Sequence, residues 1–277
     1  MKAEAQDGTL AGILREATRR AETARLGRAR FEREAARAAE PADFAAALRA
    51  GDRVQVIAEI KRRSPSAGRL AGAATADVAA LARELEAGGA AALSVLTEEH
   101  HFGGSLDDLA RVAAAVRLPL LRKDFLLEPA QVFEARAAGA SAVLLIARIL
   151  EPGHLAELAR LAAGLGMTAL IELHAEAELE GARAARSEVI GVNARDLDSL
   201  AVDAGVVERL LPLVPERCAA VAESGIAARS DVERVAAWGA DAVLVGTAIS
   251  GAADPAAALA AIVGVRRCGR RGSSHGR

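Results

Sequence analysis

The chain has 277 residues, a formal net charge of −2, 52% apolar residues and 26% charged ones. That length and apolar share suit one large α/β domain with a sizeable core, and so small a charge excludes a global field for nucleic acid or anionic lipid. Aromatic residues make up only 2%, with no tyrosine, so base-stacking platforms are lacking and any anion must be held by a local site.

The first eight residues are polar, with Glu4 and Asp7 and no apolar stretch, unlike a secretory signal. The most apolar run, Ala142 to Ile146, is broken at Arg148 and is too short to span a bilayer. The two cysteines, Cys218 and Cys268, fall in an apolar run and a polar tail, which argues against a structural disulfide. These features predict a cytoplasmic protein with neither membrane nor nucleic-acid partners.

In chain order, residues 1–50 read as an N-terminal helical extension packed on the rest of the chain. Leu10–Ala38 has helical composition and heavy charge, and a second segment begins at Phe44 after Pro41. From residue 54 onward, eight apolar β-type runs alternate with Ala/Leu/Glu/Arg-rich helical segments. The predicted strands are Val56–Ile60, Ala92–Leu96, Leu118–Arg122, Ala142–Ile146, Thr168–Leu173, Glu188–Val192, Ala219–Ala222 and Ala242–Val245. They recur every 20 to 35 residues or so, roughly the spacing of βα units. Pro129, Pro152 and Pro255 suit first-turn helix positions, and Asp203 and Ser230-Asp231 suit N-caps. Gly88-Gly89, Gly139 and Gly239 fall where helices must stop.

Eight βα units most economically close into a (β/α)8 TIM barrel, here over residues 51–265, with residues 266–277 left as a disordered Arg-rich tail. The competing doubly wound sheet carries a Gly-rich phosphate loop after its first strand, and none occurs here.

The ends of barrel strands build active sites. Read at those positions, the chain supplies Glu59 and Lys61 after the first strand, followed by a Ser64-Pro65-Ser66 turn, and Lys123-Asp124 after the third. Glu172 ends the fifth, Asn193 and Arg195 the sixth, Glu223-Ser224-Gly225 the seventh and Gly246-Thr247 the eighth. Period-two alternation sends Glu59 and Lys61 to the same side, where a carboxylate and an amine suit proton transfer beside an anionic substrate. Burying so many ionisable groups by accident would cost several kcal/mol each. The glycine loops at 223–226 and 246–249 suit close approach of backbone N–H groups to a phosphate. Glu172 with His174, and His100 with His101, make no recognisable metal-ligand set.

The ordered series Ile57-Ala58-Glu59-Ile60-Lys61, Ser94-Val95-Leu96-Thr97, Leu121-Arg122-Lys123-Asp124-Phe125, Leu144-Leu145-Ile146, Gly191-Val192-Asn193-Ala194-Arg195-Asp196-Leu197 and Ala222-Glu223-Ser224-Gly225-Ile226 resembles the indole-3-glycerol-phosphate synthase family from about residue 10 to 262. Ala194 departs from it where the family often has a second Asn. So does Thr247-Ala248-Ile249-Ser250, where a Glu-Ser-Leu-Met pattern is commoner.

The resemblance implies a lyase of tryptophan biosynthesis that needs no cofactor or metal. Its reaction closes the ring of 1-(2-carboxyphenylamino)-1-deoxyribulose 5-phosphate, with loss of carbon dioxide and water. By the same resemblance, Lys123 is the general acid of ring closure, and Glu172 is a base or cation stabiliser. Lys61 and Glu59 assist dehydration. Asn193 and Ser224 bind substrate polar groups, while Glu223 and Asp124 hold the lysines in place. Lys61, Ser64, Arg195, Gly225, Gly246 and Thr247 hold the phosphate, and Phe102 and Phe125 line the aromatic pocket. The implied partners are the small phosphorylated substrate and other tryptophan-pathway enzymes, for a monomer or weak homo-oligomer. Phosphoribosylanthranilate isomerase, a related barrel, wants a Cys/Asp pair, and Cys218 precedes its strand rather than ending it. A silent scaffold has no reason to retain Glu59, Lys61, Lys123, Glu172 and Asn193 together.

Overall fold

Alternating apolar runs become strands here because both faces of each are covered, one by helices and the other by the strands opposite. The computed structural model describes residues 10–64, 68–70 and 77–270. Eight parallel strands close into a barrel: β1 (Gln55–Ile60), β2 (Ala92–Leu96), β3 (Leu120–Lys123), β4 (Ala142–Ile146), β5 (Thr168–Leu173), β6 (Val189–Asn193), β7 (Ala219–Glu223) and β8 (Ala242–Val245). Closure is through β1, which pairs with β2 on one side (Ile57 opposite Ala92) and with β8 on the other (Ile57 opposite Leu244).

The strand boundaries carry meaning. The third strand starts at Leu120 rather than Leu118, since Pro119 has no N–H to give and contributes only its carbonyl, to Leu93 N–H. Three strands run one residue further than their apolar cores, so that Lys123, Asn193 and Glu223 are their last residues. Alternation does the rest. The side chains filling the barrel interior include Ile57, Leu121, Leu170, Val189, Val221 and Leu244. Two residues further on, the same parity delivers Glu59, Lys123, Glu172, Gly191, Glu223 and Gly246 to the barrel's C-terminal mouth.

The helices follow their caps. Pro129, Pro152 and Pro255 each open a helix, and the Asp203 carboxylate accepts from Gly205 N–H at 2.8 Å. Ser230-Asp231 is not the cap expected. That position is Ala228, and Asp231 instead accepts from the N–H groups of Ala227 and Ala228 at 2.9 Å each. The segment from Glu176 opens with a 3-10 turn, Glu176–Glu178, before helix Leu179–Ala184.

Ahead of the barrel, α1 (Leu10–Leu26) and α2 (Arg28–Ala35) replace the single helix expected over Leu10–Ala38. The break is at Gly27, where a Cβ would overlap the Phe31 ring. Then α3 (Phe44–Arg49), capped by Asp43, buries Phe44, Ala45 and Leu48 completely or nearly so. Ile13 and Ala17 of α1 and these three residues of α3 join the cluster that fills the barrel interior. Ile13 lies on the mouth side, lining the cavity there. Helix α3 packs against β1, β2 and β7.

The expectation of a disordered tail from Arg266 does not hold as far as Arg270. Arg267 donates to the Arg53, Ala50 and Gly51 carbonyls, and Arg270 to the Cys218 carbonyl, while both reach Asp241. Residues 271–277 lie outside those described, as do Pro65, Ser66 and Ala67 of the expected turn, flanked by a short hairpin of Arg63–Ser64 with Gly68–Arg69. Both cysteines are free, Cys218 buried and Cys268 exposed. Among the described residues no helix is long and apolar enough to cross a membrane.

Candidate active site

A cavity of about 460 Å³ opens at the C-terminal mouth. Its walls include every residue singled out from the sequence: Glu59, Lys61, Ser64, Phe102, Lys123, Asp124, Phe125, Glu172, Asn193, Arg195, Glu223, Ser224, Gly225, Gly246 and Thr247. Leu96, Leu144, Ile146 and Ile13 supply apolar wall between them.

Two lysine–carboxylate groups face into this space. In the first, Lys123 Nζ donates to Glu172 Oε2 at 2.6 Å and lies 3.3 Å from Glu223 Oε2. In the second, Lys61 Nζ sits 2.8 Å from Glu59 Oε1 and reaches Thr247 Oγ1 at 3.4 Å. Three carboxylates against two ammonium groups would leave an uncompensated buried charge, and the pKa values show how it is avoided. Burial would lower the Lys123 pKa, but Glu172, Glu223 and Glu59 outweigh it and hold the ammonium well above its ordinary value. Burial likewise pushes Glu172 up, yet Lys123, with a contribution from His174, brings it down to about 2. For Glu223, burial and the neighbouring Glu172 overcome Lys123 and raise it to about 8. Glu172 is therefore the ionised partner and Glu223 the protonated one. Neither Glu223 oxygen makes a hydrogen bond of good geometry, and protonation relieves the repulsion between Glu223 and Glu172.

Glycines make room for these groups. A Cβ at Gly246 would overlap the Glu59 carboxylate, and one at Gly191 would overlap that of Glu223. Ser224 and Gly225 both adopt positive φ, 67° and 73°, and a Cβ on Gly225 would press on Val202. A left-handed serine is costly backbone, held here where the turn after β7 faces the cavity. Ser250 ties β8's following turn to β1, accepting from Lys61 N–H at 3.2 Å and donating to the Glu59 carbonyl at 2.6 Å. Asn193 Oδ1 accepts from Arg195 N–H at 2.9 Å, and the Arg195 guanidinium donates to the Leu200 carbonyl at 2.7 Å.

Asp124 differs from its expected place beside a lysine. Its carboxylate is taken by Arg20 (2.8 Å), Arg122 (3.3 Å), the Thr97 hydroxyl (2.7 Å) and Phe125 N–H (2.8 Å). Burial would raise its pKa, but the two arginines and these hydrogen bonds hold it below the usual range. Arg20, on α1, also reaches Glu98 at 3.1 Å. Glu98 in turn accepts from the N–H groups of His100, His101 and Phe102. The turn that presents Phe102 to the cavity is thus clamped from the extension. Arg20, Thr97, Glu98, Arg122 and Ser250 were not among the residues singled out from the sequence. For Arg122 and Thr97 the signal was present, as polar residues within strand-end motifs.

Fold and mouth together define a (β/α)8-barrel enzyme equipped for acid–base chemistry. The family model described as "Indole-3-glycerol phosphate synthase" matches residues 11–262, and the chain belongs to that family. Among curated relatives, "Indole-3-glycerol phosphate synthase" of Mycolicibacterium vanbaalenii is 50% identical over 230 residues, 83% of this chain and 84% of that protein. "Indole-3-glycerol phosphate synthase 1" of Streptomyces coelicolor is 50% identical over 240 residues, 87% of this chain and 88% of that protein. Among solved structures, a 3-hexulose-6-phosphate synthase from Salmonella typhimurium superposes with a TM-score of 0.57 at 15% identity, covering 76% of this chain and 96% of that one. Thiamine phosphate pyrophosphorylase from Pyrococcus furiosus gives 0.56 at 17% identity, covering 76% and 93%. At such identities these two speak only to the fold.

Proposed function

We propose that this chain is an indole-3-glycerol-phosphate synthase, converting 1-(2-carboxyphenylamino)-1-deoxyribulose 5-phosphate to indole-3-glycerol phosphate. One observation carries the assignment of roles: two separate lysine–glutamate pairs, Lys123–Glu172 and Lys61–Glu59, face a single cavity. The reaction needs two proton deliveries to oxygen, and two acids supply them.

In ring closure the aromatic carbon bearing the carboxylate attacks the ketone, and its oxygen becomes an alkoxide. An alkoxide is far more basic than an amine, so even an ammonium held above its ordinary pKa transfers its proton; Lys123 is that donor. Loss of carbon dioxide then returns the electron pair to the ring. In dehydration the new hydroxyl departs with a proton from Lys61, steadied by Glu59, and Glu172 takes the proton lost from the adjacent carbon. Two protons enter at oxygen and one leaves from carbon. Because the carboxylate departs as neutral carbon dioxide, each turnover consumes one proton from solvent.

Phe102, Phe125 and the leucines at the mouth provide the face for the anthranilate ring. Ser64, Lys61, Arg195 and the turns at Gly225 and Gly246-Thr247 hold the phosphate, with Asn193 and Ser224 on the sugar hydroxyls. Glu223, protonated in the free enzyme, sets the charge balance around Lys123. The same reading carries a cytoplasmic location, a monomer or weak homo-oligomer, and other tryptophan-pathway enzymes as partners.

The test is incubation of purified protein with the carboxyphenylamino substrate while following indole fluorescence. Wild-type protein is expected to turn over without added metal or nucleotide. Lys123→Ala is expected to lose about 10²-fold or more, the usual share of a positioned acid, while its far-ultraviolet circular dichroism stays unchanged. Unaltered turnover in that variant would remove Lys123 from the mechanism.

A further inference from the structure

Strand β8 ends before its neighbour β1 does. Their pairing stops with Ala58 opposite Val245, because the chain then turns at Gly246 into the helix Thr247–Ser250. In a parallel ladder alternate residues offer both N–H and C=O to the same neighbour. Gln55 faces β8, its N–H donating to the Asp241 carbonyl, so Glu59 and Lys61 face that way too. The next rung would have Thr247 give its N–H to the Glu59 carbonyl and its own carbonyl to Lys61 N–H. Thr247 is already helical, however, and its carbonyl accepts from Gly251 N–H at 3.0 Å. The Ser250 hydroxyl fills both roles instead, donating to the Glu59 carbonyl at 2.6 Å and accepting from Lys61 N–H at 3.2 Å.

Ser250 is only 1% exposed, and a hydroxyl is costly to bury unless its hydrogen bonds are made. Which groups it bonds matters more than their number. They flank Ile60 and so fix the backbone of the two residues forming the second lysine–carboxylate pair, with Lys61 Nζ 2.8 Å from Glu59 Oε1. Pairing of β1 with β2 ends at Ile60 opposite Val95, so Lys61 has left the sheet on that side. The turn from Gly246 meets the pair twice more. Gly246 leaves the room the Glu59 carboxylate occupies, and Thr247 Oγ1 lies 3.4 Å from Lys61 Nζ. Lys123 leans instead on Glu172 and Glu223, from β5 and β7. Methionine is commoner in the family at this position, and a thioether has no proton to give a carbonyl, so the tie belongs to this chain.

We propose that Ser250 is a positioning residue for dehydration, holding Lys61 and Glu59 where Nζ can protonate the departing hydroxyl. The inference rests on the reading of Lys61 as the acid of that step. There an Nζ–H bond and the C–O bond break as water forms, and the adjacent carbon gives its proton to Glu172. Ring closure and decarboxylation draw on Lys123, which Ser250 does not touch. Loosening this tie therefore divides the reaction: carbon dioxide leaves on time and the indole arrives late. Between them stands the decarboxylated ring that still carries its hydroxyl.

The experiment is a single turnover with enzyme in excess and substrate radiolabelled at its carboxylate carbon, following trapped carbon dioxide and indole fluorescence together. In Ser250→Ala, carbon dioxide release is expected at the wild-type rate and indole formation about tenfold slower, part of the roughly 10²-fold or more that a positioned acid supplies. A serine with a merely structural role would slow both signals or neither. If Ser250→Ala fails to fold, Ser250→Cys keeps the size with a weaker donor and acceptor and is read in the same way. A wild-type interval between the two signals in the folded variant, or equal slowing of both, overturns the proposal. Lys61→Ala in the same assay separates it from the reading beneath it. If that variant also keeps the signals together, the acid assignment falls; if it parts them and the Ser250 variant does not, the role of Ser250 alone falls.

Discussion

Glu223 governs the charge of the pocket through its protonation. Its folded pKa of about 8 stands above the ordinary 4.5, so it contributes stability that is full below about 4.5 and is lost as pH rises through 8. Glu172 runs the other way. With a folded pKa of about 2, its contribution is full above about 4.5 and is lost as pH falls toward 2. Between about pH 5 and 8.5 the Glu172 contribution is constant, and the decline belongs to Glu223. Replacing Glu223 by Gln keeps a neutral group of the same size beside Glu172 and removes the ionisation. The wild-type melting temperature should therefore fall more steeply across that range than the melting temperature of Glu223→Gln. Parallel slopes by differential scanning fluorimetry would show that Glu223 is already ionised in the folded protein at about pH 5.

At the scale of elements, α1 is a structural part of the mouth rather than a decoration on it. Arg20 bridges Glu98 and Asp124, two carboxylates that are almost completely buried. Asp124 would keep Arg122, and Glu98 would keep its three backbone donors, so removing Arg20 costs less than stripping a buried charge bare. Arg20→Ala is expected to destabilise the protein by about 3 kcal/mol, the low end for a broken buried pair. It should also raise KM more than it lowers kcat, because the Glu98 turn that presents Phe102 loosens while the lysines stay in place. Denaturant titration and steady-state kinetics on that variant check both parts.

The same helix shows where sequence reading stops. Strands such as Ala92–Leu96 and Ala142–Ile146 were legible to the residue, because short runs that are apolar throughout, or broken only by one small buried serine, have one use in a barrel wall. The mouth residues were legible too, since a charged group at the end of such a run stands out against it. Arg20 was not. On a helix crowded with arginines and glutamates it is indistinguishable from a solvated residue, and its partners lie 78 and 104 positions away. Ser250 was not legible either, since in sequence it is one small residue near a glycine, and its reach to Glu59 and Lys61 depends on the helical turn after β8. The Asp231 cap was displaced by three residues for a similar reason. A carboxylate at the third helical position can reach back to the free N–H groups as well as one at the start.

Across the whole molecule the two ends of the barrel have divided their work. The C-terminal mouth holds the buried charges that chemistry needs, and the opposite end is devoted to closure. There α3 packs against β1, β2 and β7, and the segment after the last helix, Pro255–Ala260, pairs with the residues just ahead of β1, Val54 N–H donating to the Val265 carbonyl and Arg267 N–H to the Asp52 carbonyl. Arg267 and Arg270 converge on Asp241, just ahead of β8, at 3.3 and 2.7 Å, and Asp241 also accepts from Ala220 N–H at 2.9 Å. Arg270 is nearly buried, its side chain 7% exposed, and its hydrogen bonds to the Cys218 and Gly239 carbonyls join the segments entering β7 and β8. Losing both arginines leaves Asp241 partly buried with a single backbone donor, and leaves those carbonyls without their guanidinium. The double variant Arg267→Ala/Arg270→Ala is expected to lose roughly 3 to 5 kcal/mol, comparable to a broken buried pair. Because this end lies across the barrel from Lys61 and Lys123, kcat and KM at about 25 °C should stay near wild type while the melting temperature drops by several degrees. Loss of activity at a temperature where the double variant is fully folded would show that the two ends are coupled through the barrel, against such a division of labour.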